Sequence, residues 1–161
     1  MQGWPAQSEI LISQLPAEEI FRRLHLAVKP AHYQSFKNRS LEYSSDEVFL
    51  FNGKVGATGF AISQVVSRPD NFLPLIQGKV EGASTGSLVY LKFRLFPSVK
   101  YFLGFWFLLM LMFSMISYAE GKNMLTVTAP IIVLVASFWV VNVRFSSAYR
   151  RSKKELVRLI G

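Results

Sequence analysis

The sequence predicts an α+β membrane protein: an N-terminal helix, an antiparallel meander of four or five strands, a two-helix transmembrane hairpin and a basic amphipathic C-terminal helix. Three observations carry this. Residues 101–118 and 124–143 contain no charged side chain, so two long apolar runs lie almost side by side in the chain. Upstream of them, SLVYLKFRLF (87–96) alternates, with Val89, Leu91, Phe93 and Leu95 on one face and Tyr90, Lys92 and Arg94 on the other, which is the period of a half-buried strand. Finally, 18 Lys and Arg stand against 10 Asp and Glu, and the excess gathers on the outer flanks of the apolar runs.

The elements follow in order. Residues 1–14 show no period and read as a loose lead-in. LPAEEIFRRLHLAVKP (15–30) reads as a helix: Pro16 suits a first helical position, Glu18 and Glu19 favour the positive end of the dipole, and Pro30 is a stop. Ile20, Leu24 and Val28 share a face with Phe21 beside them. SLEY (40–43) is a short strand candidate, DEVFLFNGKV (46–55) and GFAISQVV (59–66) are strands, and SRPDN turns the chain at Pro69-Asp70. FLPLIQGKVEG (72–82) and the 87–96 strand are joined through GASTG as a hairpin. An open sheet of this size has edges, and edges invite a partner chain.

An uncharged stretch of ~18 or more apolar residues can cross a ~30 Å hydrocarbon core as a helix. Neither run has the polar stripe of a soluble core helix. Their hydroxyls (Ser114, Ser117, Thr126, Thr128, Ser137) can bond back to their own helix, and Pro130 lies in the first turns of its run. YAEGKN (118–123) is then a membrane turn, with Gly121 and Asn123 giving the tight backbone. Lys92, Arg94 and Lys100 precede the first span; Arg144, Arg150, Arg151, Lys153, Lys154 and Arg158 follow the second; Glu120 and Lys122 cancel in the turn. The positive-inside rule puts both termini of a multi-pass membrane protein in the cytoplasm and the turn outside. The domains expected are 1–97, a cytoplasmic helix plus sheet; 98–143, the hairpin, with spans at about 101–118 and 124–143; and 144–161, a basic cytoplasmic tail. The sequon Asn38-Arg39-Ser40 would face the wrong side for glycosylation.

Phe51-x-Gly53-x-Val55, Phe60-x-Ile62 and Asn71-Phe72-x-Pro74-x-Ile76-x-Gly78-x-Val80 together resemble a family of uncharacterised small bacterial membrane proteins, in which such a β segment leads into a two-helix hairpin and a short polar tail. The resemblance covers residues 46–160. It implies architecture and bacterial origin, hence the bacterial inner membrane as the location, and carries no activity or site.

Candidate chemistry is sparse. Zero cysteines exclude disulfides, thiolate metal sites and a cysteine nucleophile. Gly53, Gly56 and Gly59 lead to a strand rather than a helix, so they read as hairpin glycines and not as a phosphate cradle. His25 and His32 lack companions for a zinc set. Ser44, Ser45, Asp46 and Glu47 make a polar turn, and Glu18 and Glu19 point apart on their helix. No catalytic residue, cofactor or metal is expected, and the chain does not read as an enzyme. The spans hold no ionisable group, which counts against a transporter.

Lys100, Arg144, Arg150, Arg151, Lys153 and Lys154 are the candidate contacts for anionic headgroups, with Phe145, Tyr149, Leu156, Leu159 and Ile160 leaning on lipid or protein. The same charges serve equally to fix topology alone. Gly104 and Ala136 are candidates for close helix packing. The partners expected are the lipid bilayer, further copies of the chain, and an unidentified protein or small ligand; nucleic acid is not expected, because no recognition motif accompanies the charge. The first functional reading is a membrane-anchored interaction or ligand-sensing module. The alternatives are an oligomeric pore-forming or membrane-perturbing effector and a membrane-surface enzyme. An uncovered apolar sheet face would favour the first.

Overall fold

The computed structural model describes residues 5–30, 49–66 and 70–161 of the chain. Among these residues the order is β1 (Ala6–Ser13), α1 (Ala17–Ala27), β2 (Val28–Pro30), β3 (Phe51–Val55), β4 (Gly59–Gln64), β5 (Pro74–Ala83), β6 (Gly86–Leu95), α2 (Pro97–Ala119) and α3 (Met124–Ile160). The strands form a six-stranded sheet in the order β1-β6-β5-β4-β3-β2. The β3–β6 meander is antiparallel, as the alternation predicts, with the β5–β6 hairpin paired from Pro74↔Leu95 to Ala83↔Gly86. Gly56 N–H donates to the Gly59 carbonyl at 2.8 Å and closes the β3–β4 turn, so these glycines serve a hairpin. The strand expected at SLEY, the sequon, His32 and the 44–47 turn lie outside the described residues.

Two strands differ from expectation. The lead-in contains β1, which runs antiparallel along the whole of β6 from Ala6↔Arg94 to Ser13↔Ser87. The helix over 15–30 is shorter at both ends. Pro16 is its N-cap, in extended backbone, and the chain leaves the helix at Val28 to form β2 parallel to β3. Pro30 has no N–H to give, which an edge strand tolerates.

The core lies on one face of the sheet. Val89, Leu91, Phe93 and Leu95 of β6, Ile76 of β5 and Ile62 of β4 are buried there together with Ile20 and Leu24 of α1. Phe60 and Gly78 sit opposite each other in neighbouring strands, and the Phe60 ring lies where a Gly78 side chain would be. That close approach is what requires glycine at position 78.

The largest departure is α3. It runs unbroken for 37 residues, so the segment 144–160 is the second half of this helix and not a separate tail element. At ~1.5 Å per residue α3 is ~55 Å long, nearly twice a hydrocarbon thickness. Phe145, Tyr149, Leu156 and Ile160 belong to the same core as the sheet, with Ala148 and Ser152 buried at the same helical spacing. The apolar face of the tail is therefore protein core.

Candidate functional site

Two helices are long and apolar enough to cross a membrane, α2 with 23 residues and the first part of α3. Among the described residues nothing covers their outer surfaces: Phe102, Phe105, Met115, Leu125, Val135 and Trp139 are all more than half exposed. The turn between them is a Schellman closure. Gly121 takes φ +64°, its N–H donates to the Tyr118 carbonyl, and Lys122 N–H donates to the Ser117 carbonyl, each at 3.0 Å. Asn123 contributes as the N-cap of α3, accepting from Thr126 N–H at 2.9 Å, with ordinary φ.

Hydroxyls settle in two ways. Ser137 and Thr128 donate to carbonyls of their own helix, at 2.7 Å and 2.8 Å. Ser114 instead donates across the hairpin to the Val127 carbonyl at 2.8 Å, in the turn that Pro130 interrupts. Ser114, Ser117 and Pro130 are buried at this contact. Gly104 and Ala136 are exposed and take no part in it; a side chain at Gly104 would enter open space.

The C-terminal half of α3 is fastened along its length. Near the hairpin, the Phe93 and Tyr149 rings meet edge-on with centroids 4.8 Å apart. The Tyr149 hydroxyl donates to Glu9 of β1, and Lys153 pairs with the same carboxylate at 2.6 Å. Hydrogen bonds from Lys153 and then Tyr149 hold the Glu9 carboxyl below the ordinary carboxylate value. Burial, with the Glu9 bond added, raises the Tyr149 phenol, and the Glu9 bond raises the Lys153 ammonium. Farther on, Ser152 donates to the Gln64 side chain at 3.0 Å. At the C-terminal end, Ser13 donates to the Ile160 carbonyl at 2.6 Å and Arg23 to the Leu159 carbonyl at 3.2 Å, so two helix-end carbonyls find side-chain partners. Glu19, read as one of a pair of adjacent acids, binds Arg22 and Arg23, Arg22 first, and its carboxyl falls to about 2.

This fastening sorts the six basic candidates. Lys100, in the first turn of α2, and Arg144, just beyond the apolar part of α3, lie at the same end of the hairpin. Arg150 and Arg151 are ~10 Å farther along the α3 axis than Arg144, and Lys154 ~15 Å. A headgroup potential falls off within a Debye length of ~8–10 Å. Lys153 is committed to Glu9, and Arg151 reaches Asp70 at 3.4 Å. The basic residues are thus brought together as a stripe along a rod, with only Lys100 and Arg144 at the hairpin itself.

The opposite face of the sheet carries Ile10 and Ile12 of β1, paired with Tyr90 and Leu88 of β6. Ile10 is 64% exposed and Ile12 78%, with Lys92 and Lys79 on the same face. This apolar patch was not legible in the sequence, because the strand that carries it was not. Among the described residues no three His, Asp or Glu side chains converge as metal ligands.

No family model and no curated protein matches the chain. Among solved structures it is similar to the solution NMR structure of a Polyketide_cyc-like protein from Corynebacterium glutamicum, at 11% identity and a TM-score of 0.30, over 97% of this chain and 96% of that one. A score of that size falls short of a common fold.

Proposed function

We propose that the protein is a cytoplasmic interaction module held in the bacterial inner membrane by the α2–α3 hairpin. The observation that carries this is α3 itself. Its first half presents bare apolar surface far larger than a water-exposed protein normally tolerates, and its second half completes the core of the sheet. Lipid is the covering that such a surface fits. Because residues on both sides of the hairpin share one core, both lie on one side of the bilayer, and the basic flanks make that side the cytoplasm.

The proposed role is binding, not catalysis. Ile10, Ile12 and Tyr90 beside Lys92 suit a protein segment with apolar and acidic side chains, docked on this face, which is exposed among the described residues. A photo-reactive residue placed at Ile12 in the full chain should give a cross-linked protein adduct in cells, and one at Lys154 should not. Equal labelling, or none at Ile12, would remove this face from consideration.

A further inference from the structure

We propose that the cytoplasmic end of the hairpin holds one anionic phospholipid, with an acyl chain in a groove between α2 and α3 and its headgroup phosphate on Lys100. The inference rests on the membrane anchoring proposed above and goes beyond it, because an anchor needs no particular lipid.

The groove has a volume of about 260 Å³ and spans the first turns of α2 and the last apolar turns of α3. Its walls are Leu103 and Trp106 on one side and Leu134 and Phe138 on the other. Ser137 also lines it, but its hydroxyl is already committed to the Val133 carbonyl, so the wall offers no free polar group there. Gly104 lines the groove, and a Cβ there would meet no neighbouring atom within 4 Å. A cavity of this size is below the range that encloses a whole drug-sized ligand, and suits a single chain segment. Depth decides the occupant: the groove extends ~10 Å along the helices from Lys100, inward from the headgroup level.

Lys100 lines the same groove and is half-buried, with no carboxylate paired to it among the described residues. Arg144 follows the apolar part of α3 at the same end of the hairpin and is likewise unpaired there. Two cations without acidic partners, one of them at the mouth of an apolar slot, complement a lipid with a net negative headgroup. A cation so placed supports roughly a fivefold preference for an anionic over a neutral headgroup.

The test uses the full chain with Trp4 and Trp139 changed to Phe, leaving Trp106 as the reporter inside the groove. The protein is reconstituted in phosphatidylcholine vesicles in which a minor fraction of the lipid has brominated acyl chains. Brominated phosphatidylglycerol should quench Trp106 well beyond its mole fraction, while brominated phosphatidylcholine at the same fraction should not. Lys100→Gln should reduce the excess about fivefold, Lys100→Arg should keep it, and Gly104→Leu should abolish it by filling the slot. Quenching in proportion to mole fraction for both lipids overturns the proposal. So does a disulfide between two copies carrying Gly104→Cys, which would seat a second hairpin in the groove. If vesicles wholly of brominated phosphatidylcholine leave Trp106 unquenched, the membrane anchoring itself fails.

Discussion

Lys153 of α3 holds Glu9 of β1 at 2.6 Å, while Tyr149, one turn earlier, donates its hydroxyl to the same carboxylate. The first strand and the last helix of the chain are joined by this cluster, and it lies on the side chain that reads from sequence as a headgroup contact. Its consequence is a defined pH dependence. Glu9 has a lowered carboxyl pKa in the folded protein, so its stabilisation is complete above the unfolded value and is lost as pH falls through the folded one. Lys153 has the opposite sense: its share is present below its unfolded value and is lost as pH rises through the raised one. The cluster is partly exposed and screened, so the acid loss should be about 1 kcal/mol. Denaturant unfolding in mild detergent, followed from about pH 7 to about pH 3, should show that slope, and Glu9→Gln should flatten it. An unchanged slope in the variant would mean that the cluster does not hold β1.

Phe93 is fully buried between Ile76 and Tyr149, whereas its neighbour Lys92 faces outward. Phe93→Ala should cost ~3–5 kcal/mol and Lys92→Ala less than ~0.5 kcal/mol. Similar small losses at both positions would contradict the assignment of faces.

Gly78→Ala should destabilise by roughly 1–3 kcal/mol, because the added carbon falls within 2.1 Å of the Phe60 ring. The two sites should couple. In a double-mutant cycle the loss from Gly78→Ala should shrink when Phe60 is already Leu, and strict additivity would show that the ring is not the obstacle.

Much of this fold is legible in the sequence, and the exceptions have physical causes. β3 to β6 and α1 show because their apolar residues recur at the right period on one face. β1 does not show, because its inward residues include Gln7 and Glu9 while Ile10 and Ile12 point outward. Its alternation is inverted by the cluster with Tyr149 and Lys153 and by the apolar patch. β2 is masked by Pro30, which signals a helix stop and also suits a sheet edge. The continuity of α3 is hidden by the onset of charge at Arg144, which marks the edge of the apolar run but not the end of a helix. No glycine, proline or capping residue separates Val143 from Phe145, and the spacing of Phe145, Tyr149, Ser152 and Leu156 carries the same helix onward. The turn is legible almost to the residue, with α2 ending at Ala119 and α3 starting at Met124. The exposed sheet face and the groove are not, since each arises only when separate elements are brought together.

Association should be visible by mass. Among the described residues the exposed sheet face and the exposed small residue Ala136 leave packing capacity in both halves of the protein. Native mass measurement in detergent should find at least a dimer, weakened by Ala136→Leu if that face packs closely. A single-chain mass unchanged over a wide concentration range would exclude stable self-association.

The central claim is that one hairpin crosses the membrane while the sheet and the second half of α3 stay together in the cytoplasm. Cysteine labelling tests it most directly. Ser152 is unsuitable as the cytoplasmic reporter, because it is buried against Gln64. Glu120, in the hairpin turn, and Lys154, beyond its other end, are both exposed and stand in a chain with no cysteine of its own. With a membrane-impermeant thiol reagent on spheroplasts, Glu120→Cys should label and Lys154→Cys should label only after lysis. Labelling of Lys154→Cys in intact spheroplasts, with Glu120→Cys protected, would contradict the account.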